Sequence, residues 1–344
     1  METVYLDRNE NNYGPAPKCI EIAHTATNDL FYRYSTDYKR GMKSILSGRL
    51  SEEFKIPEKR VLLGYGAEDL LKQAVQSHLG KGKKLLVPNH SWWYYKEIAN
   101  EVNGINIEYP LFEGTDSYEY DIDLFLSIYK KEKPDITFIS SPNNPTGNSI
   151  SEKDLFHVLD QLADSTVVLD EAYWLSSNNN LASELVNKYR NLIIIRTFSK
   201  LYALAGIRIG YALVGENLDL LTRLSNRYLG YNRISQRIAM AALDSEDYYK
   251  DIAEKMKSDR ELYFNELNQL NDLKVFKSNA NFVLVKMPKD KMAVLNEHLK
   301  SNGFVVKFMN EEILNSHMRI SLGTQDQNKQ VIKLIKDYVN NGYN

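Results

Sequence analysis

Leu192-Ile-Ile-Ile-Arg-Thr-Phe-Ser-Lys200 is the stretch on which the reading of this chain turns. Four branched apolar residues in a row suit a strand buried on both faces. The run closes on small polar residues and a lysine. Beyond it, Ala205-Gly-Ile-Arg208 leads into a further apolar run, Gly210–Val214. Toward the N-terminus similar runs occur at Thr166–Leu169, Ile136–Ile139, Ile105–Tyr109, Lys84–Val87 and Arg60–Leu63, separated by helical patterns. Strands alternating with helices predict an α/β fold, a mostly parallel seven-stranded sheet with helices on both faces.

Past about residue 235 the texture changes. A long amphipathic helix is predicted over Gln236–Leu270. Strands at Asn281–Lys286, Phe304–Phe308 and Met318–Leu322, a helix near Lys291–Asn302 and a closing helix from about Asp326 complete a smaller α+β C-terminal domain. The chain divides into an N-terminal arm (1–34), a large domain (35–235) and a small domain (236–344). No repeat is present, and the short run Ser176-Ser-Asn-Asn-Asn180 is predicted as a loop.

The 344 residues are enough for a sizeable core, and 43% hydrophobic with 26% charged residues is ordinary for a globular protein. With 43 basic against 45 acidic residues there is no electrostatic case for nucleic acid or an anionic membrane as partner. Cys19 is the single cysteine, so neither an internal disulfide nor a cysteine-based zinc site can form. The six histidines are scattered, and no metal site is expected. Without a basic-then-apolar leader or a run of about 18 apolar residues, a cytoplasmic protein is expected.

In open α/β sheets ligands bind beyond the carboxyl ends of the strands. Four loops so placed carry unusual residues: Gly64-Tyr-Gly-Ala-Glu-Asp69, Ser140-Ser-Pro-Asn-Asn-Pro-Thr-Gly147, Asp170-Glu-Ala-Tyr173 and Thr197-Phe-Ser-Lys200. Taken singly, each has a plain explanation: Pro and Asn form turns, an Asp at a strand end caps a helix, and a lysine is usually a solvated charge. Their order and spacing together say more.

Together with Asn9-Glu-Asn-Asn-Tyr-Gly14, Arg33-Tyr34, Ala205-Gly-Ile-Arg208 and Met318-Arg-Ile-Ser-Leu-Gly323, these motifs resemble the fold-type I aminotransferases, and among them most the histidinol-phosphate aminotransferase group. The resemblance implies the cofactor pyridoxal 5'-phosphate, held by Lys200 as a Schiff base, with Asp170 charging its pyridine nitrogen and Asn144 and Tyr173 on its phenolic oxygen. It also implies a phosphate grip from the backbone N–H groups of Ala67 and Glu68 at a helix N-terminus, with Thr197, Ser199 and Arg208. An aromatic ring should stack on the pyridine; in Pro88-Asn-His-Ser-Trp-Trp-Tyr-Tyr95 Trp92 is preferred over Trp93 and His90.

By the same resemblance, Tyr34 reaches the phosphate of a neighbouring subunit, which implies a homodimer with shared active sites. Arg319 clamps the acidic group of the substrate, Tyr13 closes over it, and the partners are a small amino donor and a 2-oxo acid acceptor. Departures from the group lie on the substrate side. Lys307 stands where an arginine is usual, the arm lacks the proline before Tyr13, and Arg233 adds a cation near the expected site. A phosphorylated or acidic amino compound is therefore expected as substrate. Decarboxylation of a phosphorylated amino acid such as threonine phosphate or serine phosphate, which uses the same cofactor motifs, stays the alternative to transamination.

Overall fold

The computed structural model describes residues 3–175 and 180–341, so most of the predicted 176–180 loop lies outside the described residues. Seven strands form one sheet in the order Val61–Gly64, Gly210–Val214, Leu192–Thr197, Thr166–Asp170, Ile136–Ser140, Lys84–Pro88, Ile105–Tyr109. Only Gly210–Val214 runs antiparallel, to both of its neighbours; the other pairs are parallel. Side chains alternate across a strand, and both faces are covered here. Ile193, Ile195, Val168 and Leu62 belong to one apolar cluster, while Leu192, Ile194, Val167, Leu169 and Leu63 belong to another on the opposite side. That double burial is why the strands read as unbroken apolar runs and not as alternating ones.

The second sheet has five strands, ordered Val4–Leu6, Phe304–Phe308, His317–Ser321, Phe282–Lys286 and Lys274–Val275. Its first strand comes from the other end of the chain and pairs in parallel, with Val4 opposite Phe304 and Leu6 opposite Val306. Helices Glu246–Leu267, Met292–Ser301 and Gln325–Asn340 accompany it. The last of these starts in a capping box between Thr324 and Gln327, a reciprocal pair that satisfies two otherwise orphaned N–H groups.

The single helix predicted over Gln236–Leu270 is instead two, Arg233–Leu243 and Glu246–Leu267. Asp244 and Ser245 turn back onto the carbonyls of Met240 and Ala242, and Ser245 leaves helical geometry at φ -113 and ψ 40. The Asp244 carboxylate is held at 2.6 Å by Arg49 of the Ile45–Phe54 helix. Arg49, 195 residues away in sequence, thus holds the residue at which the two helices part, a contact that apolar periodicity does not register. Among the described residues no helix is long and apolar enough to cross a membrane.

Candidate active site

The strands Ile136–Ser140, Thr166–Asp170 and Leu192–Thr197 are parallel neighbours, so their carboxyl ends deliver Asn144, Asp170 and the Thr197–Lys200 turn to one rim of the sheet. A cavity of about 550 Å³ opens there, lined among others by Ala67, Glu68, Trp92, Asn144, Asp170, Tyr173, Thr197, Ser199, Lys200, Arg208, Lys307 and Arg319. A larger cavity of about 1150 Å³, between the Arg49–Glu53 turn and the Glu246–Leu267 helix, holds none of these residues.

Lys200 Nζ donates to the backbone carbonyls of Arg8 (3.2 Å) and Asn9 (3.0 Å) and stands 5.3 Å from the centre of the Tyr173 ring. Burial, reinforced by the Arg319 and Arg208 charges and only partly opposed by Glu10 and Asp170, pulls its pKa down to about 7. A buried ammonium is costly, so the amine spends much of its time uncharged near neutrality, which a nucleophile or base requires. Asp170 is 5% exposed. It accepts hydrogen bonds from the Tyr95 hydroxyl on one oxygen and from Ala172 N–H, at 2.9 Å, on the other. Burial raises its pKa against those two bonds, so a cation placed beside it would be strongly favoured.

The same cavity also holds an anion cradle. The helix Ala67–His78 begins after Gly66 with no side-chain cap, leaving first-turn N–H groups and the positive end of the helix dipole free for a ligand. Gly66 has φ +86, and a Cβ there would lie 2.7 Å from Arg208 Nη2, so the cradle depends on that glycine. Arg208 donates to Ser199 Oγ (3.5 Å) and to the Tyr65 carbonyl (3.2 Å), and Thr197 Oγ1 lies 3.0 Å from Ser199 Oγ. Glu68 approaches Arg208 at 3.8 Å.

Arg319 and Lys307 face each other across adjacent strands. Like charges directly opposed on a sheet repel, and burial lowers the Arg319 pKa. Arg319 bonds Asn144 Oδ1 and the Asp7 carbonyl, both at 2.6 Å, while its Nε is buried without a partner. An anion between the two cations would relieve both conditions.

Trp92 lines the cavity and touches Tyr95 edge-on at 5.8 Å; Trp93, 57% exposed, and His90 are not among the lining residues. Tyr13 and Tyr34 are not among them either. The Tyr13 hydroxyl donates to Asp259 at 2.7 Å, and Tyr34 is exposed at the surface. Arg233, expected near the substrate, instead binds Asp29 in the Asp29–Tyr32 helix through its carboxylate and carbonyl, because the Arg233–Leu243 helix packs on that segment. The lining includes Asp7, Arg8, Asn9, Glu10 and Tyr95, to which sequence reasoning gave no role. The arm motif drew attention to Tyr13, whereas Asn9, a residue type that tolerates positive φ, was the better signal.

Residues 6–335 match the family described as aminotransferase class I and II. Histidinol-phosphate aminotransferase 2 of Archaeoglobus fulgidus is 32% identical over 339 residues, 98% of this chain and 93% of that protein. The crystal structure of histidinol-phosphate aminotransferase from Sinorhizobium meliloti in complex with pyridoxal-5'-phosphate has a TM-score of 0.86 at 22% identity, over 99% of this chain and 92% of that one. For L-threonine-O-3-phosphate decarboxylase from Porphyromonas gingivalis the TM-score is 0.81 at 18% identity, over 98% and 99%. These two similarities speak to the fold.

Proposed function

The chain belongs to the class I and II aminotransferases, and we propose that it is a pyridoxal-phosphate-dependent aminotransferase that exchanges an amino group between glutamate and a small phosphorylated amine, as a histidinol-phosphate aminotransferase does. The observation that carries the reading is one cavity holding a lysine lowered to about 7, a buried carboxylate, an uncapped helix N-terminus and two opposed cations.

The residues fit the cofactor. The glycine-dependent cradle of Ala67, Glu68, Thr197, Ser199 and Arg208 suits its phosphate, and Asp170 suits its ring nitrogen. Trp92 suits its face, and Asn144 and Tyr173 its phenolic oxygen. When bound, the cofactor supplies an electron sink that makes the α-proton of an amino acid removable. Lys200 would hold the cofactor by its aldehyde carbon, and its amine, when free, would take up and return the substrate's α-proton. Asp170 would keep the ring nitrogen protonated. Arg319 binds the substrate carboxylate through its planar fork. Lys307 takes the distal phosphate of the larger substrate.

The exposed Phe31, Tyr32, Tyr34 and Tyr38 support a second copy docking on the arm and offering Tyr34 to the neighbouring phosphate site. The test is the half-reaction. The cofactor-loaded protein should change its visible absorbance with glutamate and with histidinol phosphate, and turn over only with a 2-oxo acid acceptor. Release of carbon dioxide from threonine phosphate or serine phosphate without an acceptor would replace transamination by decarboxylation.

A further inference from the structure

Asn9 is where the N-terminal segment, the C-terminal sheet and the lysine cavity meet. It is 1% exposed and sits at φ +55, a region asparagine enters more readily than most residues with a side chain. Its N–H donates to Ser321 Oγ at 2.7 Å. Its carbonyl accepts from Lys200 Nζ at 3.0 Å and from Asn281 Nδ2 at 2.8 Å. Having accepted that N–H, Ser321 Oγ gives its own proton to Asn9 Oδ1, 3.1 Å away. The network therefore sets the amide oxygen toward Ser321 and the amide nitrogen toward Tyr173, whose hydroxyl oxygen accepts at 3.0 Å.

A tyrosine hydroxyl has one proton to give. With a lone pair engaged by Asn9 and the ring held edge-on by Phe282 at 5.1 Å, that proton is directed away from Asn9 and toward the cavity that Tyr173 lines. A hydroxyl that accepts a hydrogen bond also becomes a stronger donor in the next one. We propose that Asn9 is a positioning residue: it sets the direction and donor strength of the Tyr173 hydroxyl toward the cofactor's phenolic oxygen, and ties that donor to the C-terminal sheet through Ser321. The inference rests on reading the cavity as a pyridoxal-phosphate site.

Four variants separate the amide from the backbone. Asn9→Gly keeps the positive φ and the backbone bonds to Ser321, Lys200 and Asn281, and removes only the amide. Asn9→Asp keeps the size and the acceptor for Ser321 but shows Tyr173 a carboxylate oxygen, to which the phenol donates, turning from the cavity. Ser321→Ala keeps the Asn9 amide but removes the partner that fixes it, together with the acceptor of the Asn9 N–H. Tyr173→Phe removes the group acted on. The readout is the midpoint of the pH-dependent visible absorbance of the cofactor-loaded protein.

The midpoint should rise by about half a pH unit in Asn9→Gly, further in Asn9→Asp and less in Ser321→Ala. In a Tyr173→Phe background Asn9→Gly should add nothing, the non-additivity expected of residues acting as one unit. An unchanged midpoint in both Asn9 variants, or an equal shift with and without the Tyr173 hydroxyl, overturns the role. A wild-type protein that binds no cofactor with such a band overturns the reading of the site, and the inference with it.

Discussion

Replacing Lys200 by methionine in the cofactor-free protein should change how stability responds to pH, in a direction that follows from burial. An unfolded lysine titrates near 10.5, whereas in the folded protein burial and the Arg319 charge bring Lys200 to about 7. Below about pH 7 both states carry the proton, and the folded state bears the full cost of a buried ammonium. Between about 7 and 10.5 the unfolded chain binds a proton that the folded one lacks, so stability attributable to this group rises with pH through that window. At about 1.4 kcal/mol per pH unit, going from about pH 7 to about 9.5 sets a ceiling of about 3 kcal/mol, and solvent reaching the partly exposed amine leaves ~2 kcal/mol.

Lys200→Met lacks this response. It also loses the bonds to the Arg8 and Asn9 carbonyls, but that loss is nearly the same at both pH values and cancels in the comparison. Urea unfolding of both proteins at the two pH values measures the difference. Wild type should gain on Lys200→Met by ~2 kcal/mol as the pH rises. A stability gap that does not change with pH would mean that the lysine stays charged in the fold, and the account of a neutral, reactive amine would be refuted.

Other expected outcomes follow from the same cavity. Asp170→Asn should keep the cofactor, because the phosphate cradle is separate, yet lose about three decades of turnover, equivalent to about 4 kcal/mol of barrier; steady-state rates on the loaded protein check it. Gly66→Ala puts a side chain at φ +86 and 2.7 Å from Arg208 Nη2, so equilibrium dialysis should show cofactor affinity reduced about tenfold, roughly 1.4 kcal/mol. Lys307→Ala should raise KM for a phosphorylated amine and leave glutamate nearly unchanged, with Lys307→Arg tolerated; equal small effects on both substrates would make Lys307 a solvated strand-end charge. Arg319→Lys should weaken amino and 2-oxo substrates together, since a point charge cannot replace the fork.

The large sheet was legible because most of its strands are buried on both faces and so write themselves as apolar runs, the edge strand Ile105–Tyr109 excepted. The loops at their carboxyl ends were legible for a related reason: Asp170 closes an apolar strand, and Asn144 and Lys200 lie within four residues of the ends of two others. What escaped depends on contacts between distant parts of the chain. Three residues, Val4–Leu6, are too few to show a period, and only the Phe304–Val306 partner makes them a strand. The hairpin of Leu111–Glu113 with Tyr118–Tyr120 is equally short. Tyr95 read as one more member of an aromatic cluster, and only the fold sets its hydroxyl on Asp170. Tyr13 and Arg233 were read from their motifs, but Asp259 and Asp29, far away in sequence, engage them.

The parallel pairing of Val4 with Phe304 also fixes an order of events during synthesis. The first strand leaves the ribosome with no partner in existence and waits while some three hundred residues follow it. The seven-stranded sheet, whose last member ends at Val214, can assemble in that interval, with Lys200 already at its rim but without the Arg8 and Asn9 carbonyls that bind it. Loop closure over such a separation is entropically slow. Until those later strands exist, the arm lacks its ties to Phe304 and Ser321, and only contacts such as that of Asn11 with the Leu201 carbonyl hold it beside the lysine.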